Sequence, residues 1–451
     1  MNDTSIKVKK AILLFGDIII LYSSLTITLY FRYWPSHPPT DWQQHILPFT
    51  IIYAVWLVVF HITGLYELGS AKNTLLFYSA LLKAVVVNAA IAVLFFYLFP
   101  SFGISPKTNL AMDLAIVAVL IYLWRQTFNR LIKSPALINN VLIIGRDKEA
   151  HQLIRYIKDN PQLGYRVKKI ITEKETRLVS NLVETVIQEK IQTIVTIANP
   201  RQDGVLTRNL YHCLPLKINL FDLPKFYERL MDKIPVSVIE EIWFLENLMS
   251  SQKKIYDALK RGFDVVFAII LGVVALIFSP FIAIAIKLNS PGPIFYRQKR
   301  VGQDNRIFEI IKFRSMIQDA EKNGAQWTAK NKRDPRVTRA GSVLRKTRLD
   351  ELPQLLNILR GEMSFVGPRP ERPEFVFGTT MQKEVPFYQV RHLVKPGLTG
   401  WAQINYEYGA SYADTLQKLQ YDFYYLKNRS FLLDLSILLK TIKIILSRKG
   451  V

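Results

Sequence analysis

The chain has 451 residues, half of them apolar, and a mean hydropathy of +0.13. This length allows two to four domains of roughly 100–200 residues, and the apolar fraction excludes a chain that is disordered throughout. Lys and Arg number 59 against 36 acidic residues, a formal net charge of +23, which indicates an anionic partner such as nucleic acid, anionic lipid or a phosphorylated substrate. A single cysteine, Cys213, excludes an internal disulfide, and the six histidines lack the spacing of zinc ligands.

Four apolar runs predict membrane-spanning helices: Ala11–Phe31, Ile46–Tyr66, Ala80–Phe99 and Leu110–Trp124. About 20 apolar residues cross the hydrocarbon core, so the first three runs fit and the fourth is short. Lys and Arg cluster before the first run, after the second and after the fourth. If the N-terminus is cytoplasmic, all three clusters lie on the cytoplasmic side of the membrane. Asp17 lies inside the first run, where a helix–helix contact or a function would explain it. We expect a four-span domain over residues 1–135.

Residues 136–250 alternate between strand and helix patterns, which predicts a small parallel sheet in a Rossmann-like cytoplasmic domain. The predicted strands are Val141–Gly145, Val167–Thr172, Thr193–Ala198 and Leu216–Asp222, and the predicted helices are Lys148–Asp159, Arg177–Lys190 and Asp203–Cys213. A dinucleotide site would place further glycines after the first strand, but Gly145 is followed by Arg146-Asp147-Lys148. The sequence therefore favours a structural or regulatory module over a cofactor site.

A fifth apolar segment, Val265–Ile286, is long enough to cross a bilayer. Pro280 follows Ser279 within it, and a proline inside a helix removes a hydrogen bond and favours a bend. Both flanks are basic, so the positive-inside rule places both ends on the cytoplasmic side. We therefore predict a re-entrant helix over residues 263–288, broken at this Ser-Pro pair, within a catalytic domain over residues 251–451.

Residues 287–348 hold sixteen basic and five acidic side chains. Many of these charges are expected to face solvent or anionic lipid headgroups. The window includes Lys312-Phe-Arg-Ser-Met316 and Arg345-Lys-Thr-Arg348, and a subset of its basic side chains could bind phosphate, because guanidinium groups match phosphate oxygens. This window adjoins membrane segments, so we do not expect a nucleic-acid partner.

Asp350 and Glu351 precede Pro353, which belongs in the first turn of a helix. Two carboxylates at a helix N-terminus can simply complement the helix dipole. The same position keeps a carboxylate ionised beside a site that accepts phosphate. Adjacent helical residues point in different directions, so one carboxylate could attack while the other holds a metal.

Many motifs in this region resemble those of the bacterial sugar transferases, the monotopic phosphoglycosyl transferases. They cover residues 255–450 in one order and are the following: Ser290-Pro-Gly-Pro293, Lys312-Phe-Arg-Ser-Met316, Asp350-Glu-Leu-Pro-Gln354, Gly361-Glu-Met-Ser364, Val366-Gly-Pro-Arg-Pro370, Lys395-Pro-Gly-Leu-Thr-Gly-Trp-Ala-Gln-Ile404 and Tyr421-Asp422. Arg369-Pro-Glu-Arg-Pro373 and Tyr408-Gly-Ala-Ser411 resemble a branch associated with exopolysaccharide export. The chain departs from many relatives at Arg348, where they carry serine.

The resemblance implies transfer of a hexose 1-phosphate from a UDP-sugar to undecaprenyl phosphate, the first membrane step in the synthesis of exopolysaccharide, O-antigen or capsule. Asp350 would be the nucleophile that releases UMP, and Glu351 would ligate Mg²⁺. Lys312, Arg314, Arg345 and Arg369 would bind phosphates, and Asp422 would support the site or the nucleotide. The family also has a re-entrant helix broken at a Ser-Pro pair, and it suggests a homodimer.

We thus expect a multi-pass protein of the bacterial inner membrane, of α plus α/β class, with its catalytic domain on the cytoplasmic face. A membrane nucleotide-sugar dehydratase or epimerase is an alternative, but it would need an intact dinucleotide loop. A non-catalytic scaffold for polysaccharide assembly is a second alternative. The sequence does not identify the sugar.

Overall fold

The computed structural model describes residues 4–33, 39–99, 107–134, 137–145, 147–172, 182–197, 203–248, 253–318, 320, 334–378, 385–406, 409 and 411–446. Arg146, Ala198, residues 177–181, Tyr408 and Ala410, on which parts of the sequence predictions fall, lie outside these ranges. The chain divides into two compact units, residues 1–226 and 227–451. The domain boundary predicted near residue 250 stays a prediction.

The first unit begins with four long helices that contain the four predicted spans. They are α1 Thr4–Tyr33, α2 Pro39–Thr63, α3 Leu75–Leu98 and α4 Lys107–Leu131. The fourth helix has 25 residues and extends beyond the predicted run at both ends. The apolar positions of all four helices share one core cluster, in which Leu25, Phe49 and Ala84 are fully buried. Among the described residues, these helices and a fifth in the second unit are long and apolar enough to cross a membrane. The chain is a membrane protein.

Buried polar contacts join α1 to α4. The guanidinium of Arg125 donates to the Asp17 carboxylate at 2.5 Å and to the carbonyl of Leu65 at 2.8 Å. Farther along, the Ser24 hydroxyl donates to Asp113 at 2.7 Å. Charged groups inside a membrane segment are stabilised when they pair with each other. Asp17 thus makes the helix–helix contact that was one of its two interpretations.

The first unit continues with a four-stranded parallel sheet in the order β2-β1-β3-β4. Its elements are β1 Asn139–Ile144, α5 Lys148–Asp159, β2 Tyr165–Ile171, α6 Leu182–Gln188, β3 Thr193–Thr196, α7 Gly204–His212 and β4 Asn219–Asp222. Helix α5 has the predicted bounds, because the Asp147 side chain accepts a hydrogen bond from the main-chain N–H of Lys148 and caps the helix. The predicted parallel sheet is confirmed, whereas the assignment to a Rossmann-like domain stays a prediction.

Two lysines at the ends of the membrane helices contact the sheet region. Lys9 Nζ, near the start of α1, donates to the carbonyl of Leu163 at 3.2 Å. Lys72 Nζ, between α2 and α3, donates to the carbonyl of Asp159 at 2.8 Å. The predicted basic clusters before the first span and after the second therefore lie at the same end of the helices as the sheet.

The second unit is mainly helical, with two small two-stranded sheets. Helix α8 Leu223–Met231 contains the boundary between the units. The helices that follow it are α9 Glu241–Leu248, α10 Lys254–Asn289, α11 Arg339–Thr347, α12 Leu355–Arg360, α13 Pro373–Val376, α14 Trp401–Asn405, α15 Tyr412–Asn428 and α16 Phe431–Leu446. The strands are β5 Phe295–Val301, β6 Ile307–Phe313, β7 Ser364–Val366 and β8 Gly397–Thr399. Strands β5 and β6 are antiparallel, and β7 and β8 are parallel. A 3₁₀ helix, Leu349–Gln354, joins α11 to α12.

Helix α10 runs through Ser279 and Pro280 without an interruption of its helical assignment. The Ser279 hydroxyl donates to the carbonyl of Ala275 at 2.7 Å, a back-bond that bends helices. The N-terminal half packs through Ala268 against the core around Ile358, and the C-terminal half packs through Ile286 against Leu344. Between these contacts most large side chains of the helix are exposed. The predicted re-entrant path stays a prediction.

The last helix, α16, has one buried face and one exposed apolar face. Asp434 and Ile437 are buried, while Leu432, Leu435 and Leu446 are exposed. One face therefore belongs to the core, and the opposite face presents apolar side chains to the surroundings.

Candidate active site

Asp350 and Glu351 lie in the first turn of the 3₁₀ helix that leads directly into α12. Pro353 lies inside this 3₁₀ helix, two residues before α12 begins at Leu355. The predicted placement of both carboxylates at a helix N-terminus thus holds, but in a tighter turn than an α-helix. Helix α12 is only six residues long, so its dipole contributes little and the neighbouring side chains dominate the electrostatics.

The buried amide of Asn357 ties α12 to strand β6. Its Oδ1 accepts from the main-chain N–H of Ile311 at 3.2 Å, and its Nδ2 donates to the carbonyl of Glu309 at 2.7 Å. Residues of a strand alternate between its two faces, so Glu309, Ile311 and Phe313 share one face of β6. Lys312 lies between Ile311 and Phe313 on the other face. The amide thereby fixes the distance between Lys312 and the carboxylate pair.

Three cations surround one oxygen of Glu351. Lys312 Nζ donates to Glu351 Oε1 at 3.0 Å, while guanidinium nitrogens of Arg348 and Arg369 lie 3.6 and 3.8 Å from the same oxygen. Burial alone would raise the pKa of Glu351, but these three charges outweigh it and lower the pKa to about 2. Glu351 is therefore ionised at any physiological pH.

Asp350 has a different environment although it is the adjacent residue. Its carboxylate is buried, and Oδ1 lacks a hydrogen-bond partner among the described residues. Burial, and then the negative charge of Glu351, raise the pKa of Asp350, against the opposing charges of Lys312, Arg345 and Arg348. A desolvated carboxylate without a hydrogen-bond partner on one oxygen is a stronger nucleophile than a solvated one. The two carboxylates can therefore play different roles. Glu351 is an anion held by cations, and Asp350 can act as a nucleophile.

Two of the predicted phosphate-binding residues are engaged elsewhere. Arg314 donates to the carbonyl of Ser290 at 2.6 Å and so supports the turn that follows α10. Arg345 Nε donates to the Ser315 hydroxyl at 3.0 Å, although its charge still acts on Asp350. Helix α11 approaches this segment closely at Gly341, where a Cβ atom would lie 1.9 Å from the Ser315 carbonyl oxygen. Only glycine fits there, which explains how Arg345 reaches the site.

Comparison with known proteins identifies similar chains. The family model described as bacterial sugar transferase matches residues 255–448. The chain is 43% identical over 260 residues to a UDP-N-acetylgalactosamine-undecaprenyl-phosphate N-acetylgalactosaminephosphotransferase from Aeromonas hydrophila, covering 56% of this chain and 59% of that protein. It is 34% identical over 324 residues to a UDP-glucose:undecaprenyl-phosphate glucose-1-phosphate transferase from Escherichia coli K12, covering 67% and 66%. The chain thus spans less than two thirds of the length of these two relatives.

A shorter relative decides the family. The exopolysaccharide production protein PSS from Rhizobium leguminosarum is 41% identical over 188 residues, which cover 41% of this chain and 93% of that protein. The chain belongs to the bacterial sugar transferase family. The family-model match, residues 255–448, lies in the second unit of the chain, which carries Asp350 and Glu351.

In this sugar transferase Asp422 lies outside the carboxylate pair and acts through a buried arginine. Arg391 Nη2 lies 2.8 Å from Asp422 Oδ2 and donates to the main-chain carbonyl of Arg369 at 3.1 Å. Burial raises the pKa of Asp422 to about 6, although the charge of Arg391 opposes the shift. Through Arg391, Asp422 is thus linked to the segment that carries Arg369, and its predicted role at the site or the nucleotide stays a prediction.

Three residues of this arrangement escaped sequence analysis as site residues. Arg391 is far from Asp350 in the chain, and Asn357 lies in a segment whose pattern indicates packing. Only the tertiary structure links these two residues to the site. Arg348 was visible as an extra cation, but its role depends on its backbone conformation, which the sequence does not show.

Proposed function

We propose that this sugar transferase moves a hexose 1-phosphate from a UDP-sugar to undecaprenyl phosphate, with Asp350 as the nucleophile and UMP as the first product. The Aeromonas and Escherichia relatives, both named as undecaprenyl-phosphate sugar phosphotransferases, support the reaction class. The observation that carries the proposal is the contrast within the pair. Glu351 is fixed by cations, whereas Asp350 has a buried oxygen without a hydrogen-bond partner among the described residues.

The reaction divides into two displacements at phosphorus. In the first, a carboxylate oxygen of Asp350 forms a bond to the β-phosphorus, and the bond from that phosphorus to the bridging oxygen breaks, so that UMP leaves with the electron pair. In the second, a phosphate oxygen of undecaprenyl phosphate attacks the same phosphorus and the bond to Asp350 breaks. The product is a lipid diphosphosugar, and the carboxylate is regenerated. A covalent intermediate replaces one difficult step with two easier ones.

The surrounding cations suit this chemistry. Both displacements bring an anion towards a negatively charged phosphoryl group, and positioned Lys and Arg side chains stabilise the charge that collects there. Lys312, Arg348 and Arg369 already meet at Glu351. The described residues hold no cluster of three or more His, Cys, Asp or Glu side chains that could bind a metal ion by themselves.

Mg²⁺ needs no such cluster, because in phosphoryl-transfer sites it is held by one or two carboxylates together with substrate phosphates. The two carboxylates fit this pattern, since Glu351 is ionised and Asp350 Oδ1 has a lone pair that no described group uses. We propose Glu351 as the main protein ligand. Bound Mg²⁺ would supply charge neutralisation at the phosphate oxygens.

We further propose that α10 enters and leaves the inner membrane on the cytoplasmic side, where UDP-sugars are made. Both halves of the helix support this path, since Ala268 and Ile286 pack into clusters that share Leu352, next to Glu351 in the chain. The four preceding helices would then form a four-span bundle, and the parallel sheet would belong to a Rossmann-like domain. Lys9 and Lys72 contact the sheet region, and under the positive-inside rule this supports a cytoplasmic position for the sheet and for that end of the bundle.

The test measures nucleotide release from detergent- or nanodisc-solubilised full-length protein with Mg²⁺, undecaprenyl phosphate and a panel of UDP-sugars. We expect UMP release with at least one sugar, and its loss in Asp350→Asn. A matched control is Asp304→Asn, which removes an exposed carboxylate in the β5–β6 turn at a left-handed backbone position that asparagine tolerates.

Asp304→Asn should retain wild-type activity. Release of UDP instead of UMP would indicate an ordinary glycosyl transfer and overturn the mechanism. UMP release by Asp350→Asn at the wild-type rate would exclude Asp350 as the nucleophile. A folded wild type that releases no nucleotide with any sugar would overturn the proposed activity and favour a scaffold.

A further inference from the structure

Arg348 occupies a backbone conformation that is unusual for a long side chain. It lies between α11 and the 3₁₀ helix with φ +60° and ψ +13°, in the left-handed region that favours glycine. Non-glycine residues in this region concentrate at active sites and ligand clamps, where the surrounding structure holds them. The chain here places a guanidinium two residues before the nucleophile at a position where glycine would be the less strained choice.

The Arg348 side chain reaches the carboxylate of Glu351. Nη1 lies 3.6 Å from Glu351 Oε1, within ion-pair range but beyond hydrogen-bond distance. The side chain is 25% exposed, whereas that of Glu351 is only 9% exposed. The guanidinium therefore stands at the open side of the carboxylate pair.

Three neighbouring basic groups each donate at least one hydrogen bond to an acceptor within the protein. Lys312 donates to Glu351, Arg345 donates to Ser315 and Arg314 donates to Ser290. For Arg348, the described part of the chain provides an ion pair but no side-chain hydrogen bond. Its planar fork of N–H groups is thus available for an incoming acceptor, and such a fork matches two oxygens of one phosphate.

We propose that Arg348 binds the diphosphate of the UDP-sugar donor and holds the phosphorus in line with Asp350. This inference rests on the proposed function and assigns a specific residue to donor binding within it. Asp350 and Glu351 carry two negative charges, and Lys312, Arg369 and Arg348 carry three positive charges. The charge of Arg345 also acts on Asp350, so Arg348 raises the surplus of positive charge around the pair from one to two. The same guanidinium stabilises the charge that develops on departing UMP.

The backbone conformation permits a sharp experiment. Arg348→Gly removes the cation and is favoured at this φ value, so loss of function cannot be blamed on strain introduced by the substitution. Arg348→Lys keeps the charge and removes the fork. The matched control is Lys346→Gln, which removes one exposed positive charge from the last turn of α11, two residues before Arg348.

The first readout is steady-state kinetics. We expect Arg348→Gly to lower kcat/KM for the UDP-sugar by roughly tenfold to a hundredfold, the range for loss of hydrogen bonds to a charged group, with unchanged or higher thermal stability. Arg348→Lys should lie between this variant and the wild type, and Lys346→Gln should stay within about twofold. A wild-type kcat/KM in Arg348→Gly, or a loss accompanied by a lower melting temperature, would overturn the proposal.

The second readout is binding without turnover. In the Asp350→Asn background, calorimetric titration with UDP measures diphosphate affinity directly, and adding Arg348→Gly should weaken it by a similar factor. Equal affinity with and without Arg348 would overturn the inference even if Asp350 is the nucleophile. Conversely, UMP release by Asp350→Asn at the wild-type rate would overturn the proposed function, whatever the binding result.

Discussion

The carboxylate of Asp422 lies 2.8 Å from the guanidinium of Arg391, and both side chains are buried. Arg391 also fixes the main-chain carbonyl of Arg369. Loss of Arg391 and loss of Asp422 have different consequences. The carboxyl group of Asp422 can take up a proton when Arg391 is removed, whereas the guanidinium of Arg391 cannot lose a proton when Asp422 is removed. This asymmetry leads to the first prediction.

We expect Asp422→Ala to lower the free energy of unfolding by about 3–5 kcal/mol, the cost of a buried charge left unpaired. Arg391→Met should cost less near pH 6, since the pKa of Asp422, already raised by burial to about 6, rises further without Arg391. A carboxyl group with a raised folded-state pKa contributes stability at low pH that is lost as the pH rises through that pKa. Arg391→Met should therefore be less stable at pH 8 than at pH 6.

Thermal unfolding of the detergent-solubilised variants at the two pH values measures this difference. The double variant Asp422→Ala with Arg391→Met should be more stable than the sum of the two single losses predicts. Additive losses would show that the ion pair does not couple the two residues.

The second prediction concerns the pH dependence of catalysis. The nucleophile must be ionised, so the rate should fall on the acid side as Asp350 becomes protonated. Burial and Glu351 raise the pKa of Asp350 while Arg345 lowers it, so Arg345→Gln should move the acid limb to higher pH. The measurement is single-turnover UMP release against pH, with Lys346→Gln as the charge-matched control. An acid limb at the same pH in wild type and Arg345→Gln would contradict the assignment of that limb to Asp350.

The third prediction tests the link between α12 and β6. Asn357→Ala would leave the Ile311 N–H and the Glu309 carbonyl without their side-chain partner. Each buried group left in this way costs about 1–3 kcal/mol. We also expect lower kcat, because Lys312 shifts relative to Glu351. Asn247→Ala is the control, since the Asn247 amide donates only to the carbonyl of Trp243 in its own helix, and it should preserve activity. Wild-type stability in Asn357→Ala would exclude a tethering role.

The fourth prediction addresses the path of α10. Leu259 and Leu288 are exposed near its two ends, and a re-entrant helix places both on the cytoplasmic face. In a Cys213→Ala background, which lacks other thiols, Leu259→Cys and Leu288→Cys should both react with a membrane-impermeant maleimide in inside-out vesicles. Phe99→Cys, at the opposite end of α3 from Lys72, should react in right-side-out vesicles only. Labelling of Leu259→Cys and Leu288→Cys from opposite sides would establish a fifth span.

Local patterns predicted much of this fold. Apolar runs located the long helices, and the side chain of Asp147 caps α5 at the predicted residue. The Asp350–Glu351 pair, followed by Pro353, predicted the turn in which these carboxylates lie. In each case the deciding interactions involve residues close in the chain.

The supporting parts of the site could not be predicted in this way. Arg391 meets Asp422 across 31 residues, and Asn357 meets Ile311 across 46, so these contacts exist only when separate elements pack together. Arg314 shows the reverse case, because its basic motif indicated phosphate binding, whereas its guanidinium is bonded to the carbonyl of Ser290. Residue type alone does not determine which acceptor a cation reaches.

The packing of α10 determines how this protein can be handled as a reagent. Its two halves supply walls of the apolar clusters that contain Ile358 and Leu344, on the helices that flank Asp350 and Glu351. Deleting the helix would open both clusters to water, so a water-soluble catalytic fragment cannot be obtained by trimming the hydrophobic segment. Lipid or detergent must accompany this enzyme through every step of purification.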